Sequence, residues 1–168
     1  MLGLSTKKAG VILEGNSKDK AKGSRIAIVV SKFHEFVTQR LLDAALEELT
    51  ACGVKKNDIV VAWVPGAFEI PLVAQTLVAK KNIDGVICLG AVVRGETKHY
   101  DLVAENAARG IAQVSLASGK PVIFEVLATD TMELAYKRSE EKGINKGRDA
   151  AHAVLEMLDL LSQTDKIK

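Results

Sequence analysis

The stretch Asp84 to Asp101, D-G-V-I-C-L-G-A-V-V-R-G-E-T-K-H-Y-D, decides how the rest of the chain is read. Val86 to Leu89 is a short apolar run of the kind a strand buried on both faces needs. Gly90 and Gly95 bracket a turn, and Thr97 is placed to cap a following helix. A strand that ends, turns and opens a helix leaves unpaired N–H groups at its carboxyl edge, where open α/β sheets bind ligands and anions in particular. His99 falls in the first turn of that helix, where the positive dipole end favours a neutral, proton-accepting imidazole. Taken alone, the same residues also describe an ordinary strand-to-helix turn with one exposed His.

Working outward, the pattern repeats. Ile26 to Val30 is a β-branched run read as a central strand, followed by Leu42, Ala45, Leu46 and Leu49 at helical spacing and closed by Gly53. Ile59 to Val64 is the second strand, broken by Pro65-Gly66. A helix over Ile70 to Lys80 tolerates Pro71 in its first turn. With the third strand carried to Val93, its helix runs from about Thr97 to Ser118. The fourth strand is Val122 to Leu127, and two helices, Thr131 to Lys142 and Lys146 to Leu161, complete the pattern. Four alternations of strand and helix predict a three-layer αβα fold of the α/β class, with a four-stranded parallel sheet in the flavodoxin-like order 2-1-3-4. Residues 25–168 read as one domain. Residues 1–24 read as a flexible N-terminal arm, of which Val11 to Leu13 could add a strand to a neighbouring subunit's sheet.

Composition narrows the function. At 168 residues, 48% apolar and 26% charged, the chain has the make-up of a single globular domain. A net charge of +2 without a basic, aromatic-interleaved stripe argues against a nucleic-acid surface. No apolar run reaches membrane-spanning length, and Lys7 and Lys8 interrupt any secretory signal, so a cytoplasmic location is the expectation. Cys52 and Cys88 stand in no metal or redox spacing, and His34 and His152 have no partner at metal spacing, so no metal is expected. The absence of G-x-G-x-x-G, G-x-x-x-x-G-K-[ST] and G-x-S-x-G disfavours dinucleotide, nucleoside-triphosphate and esterase readings, and no cofactor is called for.

In a parallel sheet the loops after every strand converge on one edge. Here they carry Ser31-Lys32-Phe33-His34, Pro65-Gly66-Ala67-Phe68-Glu69, Ala91 to His99, and Thr129-Asp130. Phe33, Phe68 and Phe124 can stack on a planar heterocycle or simply pack an interface. Glu69 can accept from hydroxyls or favour the helix start. Arg138 can grip a phosphate or satisfy a helix end, and Lys146 can face the pocket or merely begin a helix.

Three segments, P-G-A-F-E-I-P at 65–71, G-A-V-V-R-G-E-T-K-H-Y-D at 90–101 and N-K-G-R-D-A-A at 145–151, closely resemble those of the 6,7-dimethyl-8-ribityllumazine synthase family, over about Arg25 to Leu161. The resemblance implies condensation of 5-amino-6-(D-ribitylamino)uracil with 3,4-dihydroxy-2-butanone 4-phosphate, releasing phosphate and water. It implies that Phe33 stacks on the pyrimidine, and that Ala67, Phe68 and Glu69 line the ribityl and ring site. Ala91, Val92 and Val93 would meet the pyrimidine through their backbone. Glu96 and Thr97 would form the phosphate loop, with Arg138 completing it and Lys146 nearby. His99 would move protons, and Phe124 would come from a neighbouring subunit.

Two residues depart from the family pattern: His34 stands where Asn is common, and Asp149 where Glu is usual. The resemblance also implies a homopentamer, in some members closed into an icosahedral shell. The lack of an insertion between Arg138 and Asn145 leans toward the shell, which can have a riboflavin synthase partner. An archaeal-type riboflavin synthase and a non-catalytic flavin or lumazine binder are the competing readings.

Overall fold

The computed structural model describes residues 10–167. Strands β1 (Ile26–Ser31), β2 (Ile59–Val64), β3 (Gly85–Val93) and β4 (Val122–Thr129) alternate with helices α1 (Glu35–Cys52), α2 (Ile70–Val78) and α3 (His99–Ser118). Helices α4 (Met132–Lys137) and α5 (Lys146–Thr164) follow. All strand pairs are parallel, in the order β2-β1-β3-β4 that the alternation predicts.

The central strands are apolar throughout because both faces are covered. Ile26, Ile28, Val30, Ile87 and Leu89 point to a core with α1, α4 and α5. Ala27, Val29, Val86 and Cys88 point to a second core with α2 and α3. Each fully buried Ile or Leu contributes roughly 1.5–3 kcal/mol. Gly53, at φ 112°, ends α1 as its sequence position predicts.

Three expectations are corrected. Gly90 does not open a turn: it lies inside β3, where a Cβ would crowd Val126 at 3.1 Å and Ile70 at 3.3 Å. Helix α3 begins at His99, so Thr97 is not its N-cap residue, although its Oγ1 accepts the His99 N–H at 3.3 Å. Helix α4 stops at Lys137 rather than Lys142. Ser139 leaves the helix to form an antiparallel bridge with Asn145, whose Nδ2 donates to the carbonyls of Arg40 and Glu140.

The expected arm lies partly outside the described residues. From Glu14 onward it is folded onto α5: Asn16 N–H donates to Asp159 Oδ2 at 3.0 Å, and Gln163 Nε2 donates to the Glu14 carbonyl at 2.8 Å. Ala21 is fully buried in the core beside α1. Among the described residues Val11 to Leu13 join no strand, and Val11 and Ile12 are exposed.

Candidate active site

The strand order switches direction between β1 and β3, which in a doubly wound sheet opens a crevice at the carboxyl ends. Here the two strands also differ in length. The β1–β3 ladder ends at Val30–Leu89, whereas the β3–β4 ladder continues to Val93–Thr129. The side of Ala91, Val92 and Val93 facing β1 therefore stands beyond the ladder, with backbone groups free to meet a ligand.

The walls of this notch are fixed by short-range chemistry. The N–H groups of Lys32 and Phe33 donate to the Val64 and Pro65 carbonyls at 2.8 and 3.2 Å, tying the loop after β1 to the one after β2. Thr38 Oγ1 donates to the Ser31 carbonyl at 2.7 Å and seats α1 on the strand end. Phe33 is 65% exposed at the notch. His34 packs edge-on against its ring, with centroids 4.6 Å apart. His34 is the one non-glycine residue with positive φ among those described, and burial holds its imidazole below the ordinary histidine range. The Ser31 hydroxyl is buried without a partner among the described residues.

After β2, a 3-10 turn over Ala67–Glu69 leaves Ala67 buried and Phe68 55% exposed. Glu69 Oε2 accepts the Gly66 N–H at 2.9 Å, so this carboxylate braces its own turn. After β3, Glu96, Thr97 and His99 are all exposed.

Sequence reasoning missed the clamp that holds this loop. Arg94 donates from Nε to Asp130 at 2.7 Å, pairs with Asp101 at 3.5 Å and lies 4.3 Å over the Tyr100 ring. The bond to Asp130 raises the guanidinium further above its usual range. The R-G-E-T-K-H-Y-D spelling held the signal, because Arg94 and Asp101 flank the loop they close.

A second group of expected residues sits elsewhere. Arg138 closes α4, with its Nη1 on the Leu134 carbonyl at 3.2 Å, the helix-end contact that its position also allowed. Lys146 N–H donates to the Arg138 carbonyl at 2.9 Å, which keeps the two cations together. Lys146 Nζ pairs with Asp149 at 2.8 Å, and this bond raises the ammonium pKa. Asp149 is thereby engaged within its own helix. Nearby Glu125, which sequence reasoning also missed, is pushed up to about 7 by burial, with Asp149 adding to the shift and Lys146 opposing it.

Helix α4 packs with α1 and α5 through Met132 and Ala135, whereas α3 packs on the other face through Tyr100, Val103 and Ala104. His99 and Arg138 thus start from helices on opposite faces of the sheet. Phe124, 43% exposed on edge strand β4, pairs with Cys88 and shares the α2/α3 face. A concavity of about 1120 Å³ along α1, β2 and the segment reaching Arg148 is lined by none of these residues.

A four-stranded parallel sheet with helices on both faces, an open notch at its switch point and an exposed imidazole on the adjoining helix defines a three-layer α/β protein. The family model for 6,7-dimethyl-8-ribityllumazine synthase matches residues 23–162, and the chain belongs to that family. Membership connects it with lumazine synthesis in riboflavin biosynthesis and with a family of transferases. No helix among the described residues is long and apolar enough to cross a membrane.

Proposed function

We propose that this chain condenses 5-amino-6-(D-ribitylamino)uracil with 3,4-dihydroxy-2-butanone 4-phosphate to give 6,7-dimethyl-8-ribityllumazine, phosphate and water. The observation that carries this reading is the family match over residues 23–162; two of the resembling segments, 65–71 and 90–101, follow β2 and run from β3 into α3. Phe33 offers a face to the pyrimidine ring, and Ala91, Val92 and Val93 offer their backbone. Ala67, Phe68 and the free side of Glu69 line the ribityl end. Glu96, Thr97 and the start of α3 receive the phosphate. Arg138 and Lys146 bring positive charge to it from another copy of the chain, as does Phe124 its ring.

Amine attack on the ketone, phosphate loss and ring closure all need proton transfers, which an imidazole can carry in both directions. Developing charge on the departing phosphate suits Arg138 and the N–H groups opening α3. Alignment of two substrates supplies much of the remainder, on the order of 7–11 kcal/mol. No cofactor enters this scheme. The assembly we infer is a homopentamer that closes into a shell, able to enclose a riboflavin synthase partner, with residues 25–168 as its single catalytic domain. The N-terminal arm, including Val11 to Leu13, can extend to the exposed β2 edge of a neighbour.

The test mixes both substrates with the protein and follows lumazine absorbance and phosphate release together. His99→Ala is expected to lower kcat by about 10²–10⁴-fold with little change in KM, and Arg138→Ala to raise KM for the phosphate substrate. Phosphate release without lumazine, lumazine consumed when supplied alone, or two silent variants would overturn the assignment.

A further inference from the structure

Away from the notch, α1 and α5 meet at a cluster that sequence spacing conceals, because Cys52 and His152 lie a hundred positions apart. Glu48 Oε1 stands 3.1 Å from His152 Nε2 and 3.7 Å from Cys52 Sγ. One oxygen, one nitrogen and one sulfur all lie within 4.8 Å of one another. The two separations from Glu48 Oε1, 3.1 and 3.7 Å, lie close to the roughly 3.3–3.8 Å between ligand atoms of a tetrahedral zinc with bonds of about 2.0–2.3 Å, and a bound ion would set the Cys52–His152 separation to the same range.

The surroundings orient the set. His152 Nδ1 is 3.2 Å from Ser17 Oγ, which fixes the ring and leaves Nε2 toward the cluster, as the outer partners of metal-bound imidazoles do. Arg148 Nε stands 3.7 Å from the other Glu48 oxygen, Oε2, so Oε1 remains for the centre. The side chains of Glu48 and His152 are 22% and 41% exposed, open enough for an ion to enter from solvent. A divalent ion would neutralise the carboxylate and thiolate together and displace the thiol proton.

We propose that Glu48, Cys52 and His152 form a binding site for a zinc-like divalent transition-metal ion, with Ser17 supporting the imidazole and solvent completing the tetrahedron. Mixed sulfur, nitrogen and oxygen donors select this class over magnesium or calcium. An occupied site would also fasten the Ser17 segment to α5.

The experiment titrates the full chain with zinc chloride against a chromophoric chelator, and separately with cobalt chloride followed by its visible spectrum. One zinc per chain is expected, with affinity reduced on the order of 100-fold in Cys52→Ser and His152→Ala and about 10-fold in Ser17→Ala. Bound cobalt in the unaltered chain should show tetrahedral bands with a thiolate charge-transfer transition, a readout independent of variant folding. Zinc binding unchanged in a Cys52→Ser/His152→Ala double variant, no binding by the unaltered chain, or cobalt spectra without the thiolate band would overturn the proposal.

Discussion

At the scale of single residues, His34 shows how backbone geometry governs what a site position tolerates. Its φ of 58° and ψ of 44° place it in the left-handed region immediately before α1, where Asn, Asp and His are enriched and β-branched residues are strained. The family's common Asn at this position and the His found here satisfy the same demand, so the departure is a conservative one for the backbone. His34→Asn is expected to leave stability nearly unchanged and His34→Val to lower it by about 1–2 kcal/mol, as urea denaturation would measure. Equal stability of the Val variant would remove the argument. Gly147, within the N-K-G-R-D segment, is constrained differently: a Cβ there would collide with the Leu41 backbone carbonyl, so α5 approaches α1 through a residue without a side chain. His34 could be picked out in the sequence as a strand-end loop residue that departs from the family pattern, and Gly147 as a motif member. Neither reason could, because one depends on a dihedral angle and the other on a helix–helix contact.

At the scale of elements, the central strands β1 and β3 were legible because both their faces are buried and the runs are accordingly apolar, and the half-exposed edge strands because they are rich in β-branched residues. Errors fell where tertiary contacts override local signals. Gly90 continues a strand because its lack of a side chain is filled by Val126 and Ile70, and α4 ends early because Asn145 reaches Arg40. The edge strand β4 carries the most informative case. Its Glu125 faces α5, and burial holds its pKa near 7, above the ordinary 4.5. A carboxyl raised in this way favours the fold while protonated. Its contribution is complete below about pH 4.5 and is lost as the pH rises through about 7. Glu125→Gln, neutral at every pH, is expected to melt higher than the unaltered chain at about pH 8 and close to it at about pH 4.5. A melting difference that does not change with pH would show that Glu125 is not held protonated in the fold.

At the scale of the whole molecule, the α/β architecture and strand order follow from the chain's alternation, whereas the site we propose would need residues from a second chain. Phe33, Phe68 and Phe124 remain exposed, as do Leu72 at 70% and Leu116 at 86%, a set of apolar surfaces that contact with further copies would cover. His99 and Arg138 leave the sheet on opposite faces, which sequence order alone could not reveal. If a ring of subunits brings His99 of one copy to Arg138 of the next, the interface is heterologous and each site draws on two chains. Two impaired variants should then rescue one another when the phosphate substrate is kept well below the KM of Arg138→Ala. Purified His99→Ala and Arg138→Ala chains, dissociated together and reassembled in equal amounts, would place both intact residues in about a quarter of the sites. Lumazine formation should rise to about that fraction of the unaltered protein's rate, while each variant reassembled alone stays low. Size-exclusion chromatography with light scattering on the same samples should give a multiple of five 18.0 kDa chains. Assembly at that mass without rescue would mean that each site takes His99 and Arg138 from one chain, and a monomeric mass would remove the shared site altogether.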